Sequence, residues 1–459
     1  MKINQGKNVC IIGAGTSGVI AAKVFSQQGI NFTVFEKGSG IGGIWRFQND
    51  NGQSTCYRSL HINTSKRMMA LSDFPFKEEI AEYPTHEEIL SEYERMVDHF
   101  GFRENIEFNT TVIDCAPASN NQWKVTTQQG DNNPIEHIFD YVVVANGHHW
   151  APRLPKYGGT FDGDELHAHH YVDVSDPLDL RNKNVVVVGV GNSAMDIACE
   201  LGRVGQGAKK VYLSQRSGVW IIPKVFGPAP QDKFVRHPMV EPSIWEHLRR
   251  TFIPRKVRQW FFGKLAETTV RLTVGMPQRF GLKAPDGPFH SRHPTVSQEI
   301  HNRLIHGDII PKGNIKTLKE KQVEFEDGSV EDVDAIIYAT GYDIKFPFFK
   351  ETLFNAKHNN MALWQRIYDP RFDSLAFLAL VQPVCAMMPI AELQANLIAD
   401  HIKGGFQLPD QSTMMKEMFQ YDQMMKADYK PSASHTIQVD CPEYSYYLRQ
   451  AWKHGKTKS

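Results

Sequence analysis

The chain has 459 residues, no formal net charge at pH 7 and six scattered cysteines. That length exceeds one ordinary hydrophobic core and predicts two or three domains. The neutral balance excludes binding to nucleic acid or an anionic membrane by bulk charge, and the absence of any C-x-x-C excludes a zinc ribbon and a redox-active dithiol. Cysteines used this way fit a reducing, cytoplasmic setting.

The first strand is expected to start by about residue 8, which leaves no room for a secretory signal. It runs Val9 to Ile12 and is followed by Gly13-Ala14-Gly15-Thr16-Ser17-Gly18. This is a dinucleotide fingerprint at a strand-to-helix turn. The first glycine makes the turn, the second admits a pyrophosphate to the backbone, and the third lets helix and strand pack closely. A second strand over 31–35 ends at Glu36-Lys37. A carboxylate there accepts from ribose hydroxyls and repels a 2′-phosphate, which favours FAD or NAD. Gly40-Ile41-Gly42-Gly43-Ile44-Trp45 follows, with glycines suited to another close approach and Trp45 able to pack on a ring.

Apolar spacing predicts a helix over 85–100 with Thr85 as its cap. Strands are expected over 106–112, 123–127 and 141–144. A second βαβ unit spans 183–214. Its fingerprint is Gly189-Val190-Gly191-Asn192-Ser193-Ala194, and its second strand ends in Gln215-Arg216-Ser217 without an acid. Arg216 can hold a 2′-phosphate with two charge-assisted hydrogen bonds, and Ser217 can add a hydroxyl, so this site favours NADPH. Residues 223–288 are rich in aromatic, basic and proline residues and give no clear periodicity.

Strands are expected again at 322–325 and 335–338. The latter leads into Ala339-Thr340-Gly341-Tyr342 and reads as a late strand of the first domain, with Thr340 and Gly341 near its nucleotide. The stretch 375–391 imitates a membrane span but is broken by Gln382, Pro383 and Pro389. It is therefore expected to be a buried strand and the start of a helix, since a span needs about 20 mostly apolar residues. The predicted class is α/β with two Rossmann-like dinucleotide-binding domains, the NADPH domain inserted into the FAD domain. The expected limits are 1–170 and 286–459 for the FAD domain and 171–285 for the NADPH domain.

Between the fingerprints stands Phe161-Asp162-Gly163-Asp164-Glu165-Leu166-His167-Ala168-His169-His170-Tyr171. This F-x-G-x-x-x-H-x-x-x-Y string resembles the identifying motif of class B flavin-containing monooxygenases. Gly42-Gly43-Ile44-Trp45, Ala339-Thr340-Gly341-Tyr342 and the stretch Asn63-Thr64-Ser65-Lys66-Arg67-Met68-Met69 are similar to further motifs of its animal branch. The likeness runs from about residue 7 to about residue 400. It implies FAD and NADPH as cofactors, a C4a-(hydro)peroxyflavin oxidant, and a small-molecule amine or sulfide with O2 as substrates. It also implies a homodimer.

Three features depart from the family. The apolar tail of membrane-bound members is missing, which implies no membrane anchor. Tyr171 stands where Baeyer–Villiger members have Trp, which favours attack on N or S over ketones. The first small-residue turn reads Ala145-Asn146-Gly147. The resemblance makes Asn63 the candidate catalytic residue beside the flavin, where an amide can donate to an oxygen species without delivering a stray proton. His167 is expected to keep NADP⁺ seated. With His169 and His170 it forms a poor ligand set, and no metal is expected. A flavin disulfide reductase would need paired cysteines, and an NADPH sensor would consume no oxygen.

Overall fold

A computed structural model describes residues 6–428 and 436–457. In chain order the first elements are β1 (Asn8–Ile12), α1 (Thr16–Gln27), β2 (Asn31–Phe35), α2 (His86–Phe100), β3 (Ile106–Glu107), β4 (Thr110–Pro117), β5 (Trp123–Gln129), β6 (Ile135–Phe139) and β7 (Tyr141–Val144). Next come β8 (Gly158–Phe161), β9 (Asp164–His167), β10 (Asn184–Val188), α3 (Asn192–Leu201), β11 (Lys210–Ser214), α4 (Ile244–Phe252) and α5 (Arg255–Thr273). The chain continues through β12 (Ile309–Lys312), β13 (Ile315–Glu320), β14 (Gln322–Phe325), β15 (Val330–Asp332) and β16 (Ala335–Tyr338). It ends with β17 (Leu375–Phe377), β18 (Gln382–Pro383), α6 (Met387–Ile402), α7 (Gln411–Asp428), β19 (Gln438–Val439) and α8 (Cys441–Gly455).

Two five-stranded parallel sheets organise the molecule. The first has the order β17-β7-β1-β2-β3 and the second β9-β16-β10-β11-β12. Their central strands are buried on both faces, which explains the unbroken valine and isoleucine runs of β1, β7, β10 and β16. Helix α1 packs between the first sheet and α6, inside a core that includes Val19, Phe25, Ile89, Leu393 and Leu397. A three-stranded antiparallel sheet, β4-β5-β6, and a four-stranded one, β15-β14-β13-β8, flank the two units.

The helix expected over 85–100 is present, and Thr85 and Glu88 close a reciprocal capping box. The strand expected over 106–112 is interrupted at Asn109, whose φ is +53°, before β4 begins. The segment 375–391 is a buried strand and the start of α6, as its prolines imply. Among the described residues no helix is long and apolar enough to cross a membrane.

One expectation is corrected. Strand β16 does not return to the first sheet; it lies between β9 and β10 in the second, paired in register with Val185 to Val188. Strands from 309 to 338 thus belong with the second fingerprint, and the first sheet is completed instead by β17. The cysteines, whose scatter fits a reducing setting, nevertheless include one joined pair: Cys385, just after β18, is bonded to Cys441 at the start of α8.

Candidate nucleotide sites and reaction chamber

At the first fingerprint Gly13 has φ +100°, and a Cβ there would meet the Ala145 carbonyl oxygen at 2.9 Å. A Cβ on Gly18 would fall 1.8 Å from the Gly13 carbonyl oxygen, so helix α1 can enter the turn only with glycine at that position. Gly42 N–H donates to Ala14 O at 2.9 Å, and a Cβ on Gly43 would come within 2.8 Å of the Gly15 Cα. The Gly43–Trp45 turn therefore sits directly on the fingerprint, carrying Ile44 and a half-buried Trp45 beside it. Ser17 is half-buried in the first turn of α1.

Glu36 is buried at the end of β2. Its carboxylate accepts from Ala14 N–H at 2.7 Å, Gly38 N–H at 2.8 Å and Asn51 Nδ2 at 3.1 Å. Oε2 takes only the Ala14 bond and keeps an acceptor direction open, as a ribose hydroxyl requires. Lys37 is exposed.

Asn63 lies on the loop before the short helical turn at 66–69. Its backbone carbonyl accepts from Gln231 Nε2 at 2.9 Å, while its side-chain Oδ1 is buried with no hydrogen-bond partner. An orphaned buried amide is costly unless a ligand satisfies it. Beside it the Asp232 carboxylate accepts from Ser65 N–H at 2.8 Å and Ser65 Oγ at 2.7 Å. Residues 231–232, unreadable in sequence, thus staple the Asn63 loop.

The second fingerprint repeats the first. Gly189 has φ +135° and lies against Ala339, and Gly191 caps α3 at its N-terminus. Asn192 Oδ1 accepts from Val296 N–H at 2.9 Å, Ala194 is buried and Ser193 is exposed. Residues 191–194 form one wall of a cavity of about 280 Å³. Gly341 lines this same cavity, and Thr340 Oγ1 donates to Arg153 O at 2.5 Å. Strand β16 of the second sheet ends at these two residues, so Gly341 lies on a cavity lined by residues of both nucleotide units.

Beyond β11, Arg216 is exposed, and its backbone carbonyl accepts from Lys283 Nζ at 3.1 Å. Ser217 Oγ accepts from Arg292 at 2.7 Å. Burial, and then the nearby Arg216 charge, hold the Arg292 guanidinium below its ordinary value. Three cations therefore meet at the end of this strand, two of them paired, Lys283 with Glu326 at 3.1 Å and Arg292 with Asp286 at 3.2 Å. Sequence reasoning names Arg216 and Ser217; Lys283 and Arg292, which no spacing connects to β11, join them only through the fold.

The motif between the units has structural causes. A Cβ on Gly163 would lie 2.5 Å from both the Asp334 carbonyl oxygen and the Phe161 ring. His167 Nδ1 accepts from His169 N–H at 3.0 Å, and His169 Nε2 donates to Gly52 O at 3.1 Å, tying this turn to the first unit. Tyr171 is fully buried against Tyr57. Among the described residues no cluster could hold a metal ion.

The family described as Flavin-binding monooxygenase-like matches residues 6–452. The chain is 36% identical over 453 residues to rabbit (Oryctolagus cuniculus) flavin-containing monooxygenase 5, covering 95% of this chain and 80% of that one. It is 32% identical over 454 residues to rabbit dimethylaniline monooxygenase [N-oxide-forming] 2, covering 96% and 81%. The solved structure of OTEMO in complex with FAD and NADP superposes with a TM-score of 0.72 at 19% identity, covering 98% of each chain. Two glycine cradles on two parallel sheets, a carboxylate at one strand end and cations at the other agree with that likeness: this chain belongs to the flavin-containing monooxygenase family and takes FAD and NADPH as its cofactors.

Proposed function

We propose that this protein spends NADPH and O2 to oxygenate a soft nitrogen or sulfur atom of a small amine or sulfide. The observation that carries this is the doubled cradle: Gly13 against Ala145 and Gly189 against Ala339, on separate sheets of one chain. FAD, when bound, accepts hydride from NADPH and activates dioxygen; the residues position, polarise and exclude water.

Gly13, Gly15, Ser17 and Gly18 would receive the FAD pyrophosphate on the α1 N-terminus, with Glu36 on its ribose and Lys37 at the rim. Gly43, Ile44 and Trp45 line the approach to the ring. Gly189, Gly191, Asn192, Ser193 and Ala194 would hold the NADPH diphosphate, and Arg216 and Ser217, with Lys283 and Arg292, its 2′-phosphate. Asn63 is assigned to the reacting centre, where its amide can donate to the oxygen being transferred without supplying a proton. The NADPH unit in this reading comprises residues from about 158 to about 340.

NADPH and oxygen consumption by FAD-loaded protein, with trimethylamine or methimazole added and hydrogen peroxide titrated, tests the proposal. Substrate oxide formed in proportion to NADPH, with little peroxide, is the expected result. Consumption that ignores both substrates and ends in stoichiometric peroxide would overturn it in favour of an NADPH oxidase.

A further inference from the structure

The cavity lined by residues 191–194 is also lined by residues of the other nucleotide unit. His148 and His149 follow β7 of the first sheet through the Ala145-Asn146-Gly147 turn, and Arg153 follows them. His167 lines the same cavity and is only 5% exposed, with its ring against the backbone of Gly341. His148 Nε2 is buried and unpartnered. Because His167 Nδ1 already accepts a hydrogen bond, the proton of its neutral ring sits on Nε2 as a donor. Three imidazoles and a guanidinium thus line one cavity with residues 191–194 at the N-terminus of α3, and among the described residues lining it none is a carboxylate. That composition suits an anion held by both units.

Resting on the NADPH assignment above, we infer that His148 and His149 close over the diphosphate of the nucleotide seated on α3, so that the first unit grips the second unit's cofactor. These are positioning residues for NADPH, and no pattern in the sequence marks them.

The electrostatics agree. Burial, and then its neighbour His149, hold His148 well below its ordinary value; burial, and then His293, bring His149 down to about 4. Both rings are neutral at pH 7 without an anion. The other titratable groups around them are Arg153, His167, His293 and Tyr342, with Asp343 at 3.9 Å from the Arg153 guanidinium. A diphosphate brings the missing negative charge and stabilises the protonated rings, so binding takes up protons and tightens as pH falls.

Calorimetric titration of the FAD-loaded full chain with NADP⁺ and with 2′-AMP tests this. 2′-AMP carries the 2′-phosphate but no diphosphate, and it also corrects for titration of that phosphate. His148→Gln/His149→Gln should weaken NADP⁺ by roughly tenfold or more, about one charge-assisted hydrogen bond, and leave 2′-AMP unchanged. Wild type should bind NADP⁺ more tightly at pH 6 than at pH 8, beyond any change for 2′-AMP, and the variant should lose that excess. Unchanged NADP⁺ affinity in the variant, or an equal loss for both ligands, overturns the inference. A wild type that binds neither ligand overturns the NADPH assignment and this inference with it.

Discussion

A Cβ placed on Gly189 would stand 2.5 Å from the carbonyl oxygen of Ala339. The strand next to the fingerprint therefore dictates a glycine as firmly as the phosphate does, and the φ of +135° excludes other residues independently. Gly189→Val should raise the KM for NADPH strongly while FAD stays bound after gel filtration. The local clash is worth about 1–3 kcal/mol, readable as a lower Tm. Simultaneous loss of FAD would mean that the two cradles are not independent.

Arg216→Gln should lower kcat/KM for NADPH by about 10–100-fold, the value of one lost charge-assisted bond, and leave NADH nearly unaffected. Arg292→Ala should act in the same direction more weakly, because it reaches the site through Ser217. Steady-state kinetics with both nucleotides decides this; equal losses for NADPH and NADH would remove the 2′-phosphate role.

Asn63→Ala should cut substrate oxide formation by roughly 10²-fold and raise the fraction of NADPH lost to peroxide, with FAD content unchanged. Its stability should hardly move, because Oδ1 has no protein partner to lose. A large fall in Tm at normal coupling would make Asn63 a structural residue.

The protein free of NADP⁺ should become less stable as pH falls from about 6.5 to about 4. His149 is ordinarily 6.5 and about 4 in the fold, so over that window the unfolded chain binds the extra proton. Stability is full above the unfolded value and is lost as pH drops towards the folded one. His149→Gln should flatten this limb in urea titrations, and saturating NADP⁺ should do the same.

Lys23 is buried, 1% exposed, between Glu392 at 2.9 Å and Asp73. Lys23→Met should destabilise the fold by about 3–5 kcal/mol, because it leaves the fully buried Glu392 without its counter-charge. Denaturant midpoints measure this. Adding Glu392→Gln should recover part of the loss.

Much of this was written in short strings. The fingerprints, Glu36 and Arg216 are legible because phosphates and riboses demand fixed residue types at fixed places in a βαβ unit. The placement of β16 was not. Four apolar residues report burial on both faces, which any central parallel strand shows, and carry no information on which sheet it joins. Helices α4 and α5 were hidden for another reason. Their outward faces carry Trp245, Phe252, Trp260 and Phe261, all at least half exposed, while Arg258 and Glu267 point inward. The usual apolar-inside pattern is inverted there, and periodicity reads nothing. Lys283, Arg292, His148 and His149 meet their sites only through tertiary folding. The Cys385–Cys441 pair illustrates the same limit, since spacing alone cannot assign connectivity.

Gln231 and Asp232 fasten the Asn63 loop through one bond to a backbone carbonyl and two to Ser65. None of these contacts depends on the side chains further along 233–288. The stretch that follows is tied down at further points, by Arg67 on the carbonyls of Asp232, Lys233 and Val235 and by Arg449 on Pro238 O and Glu241, and its far end carries Lys283 to the Arg216 carbonyl. An exchange confined to 234–280, which leaves Lys283 and Arg292 in place, should therefore keep the recipient's nucleotide preference, and any change in the substrates oxidised would trace to that stretch.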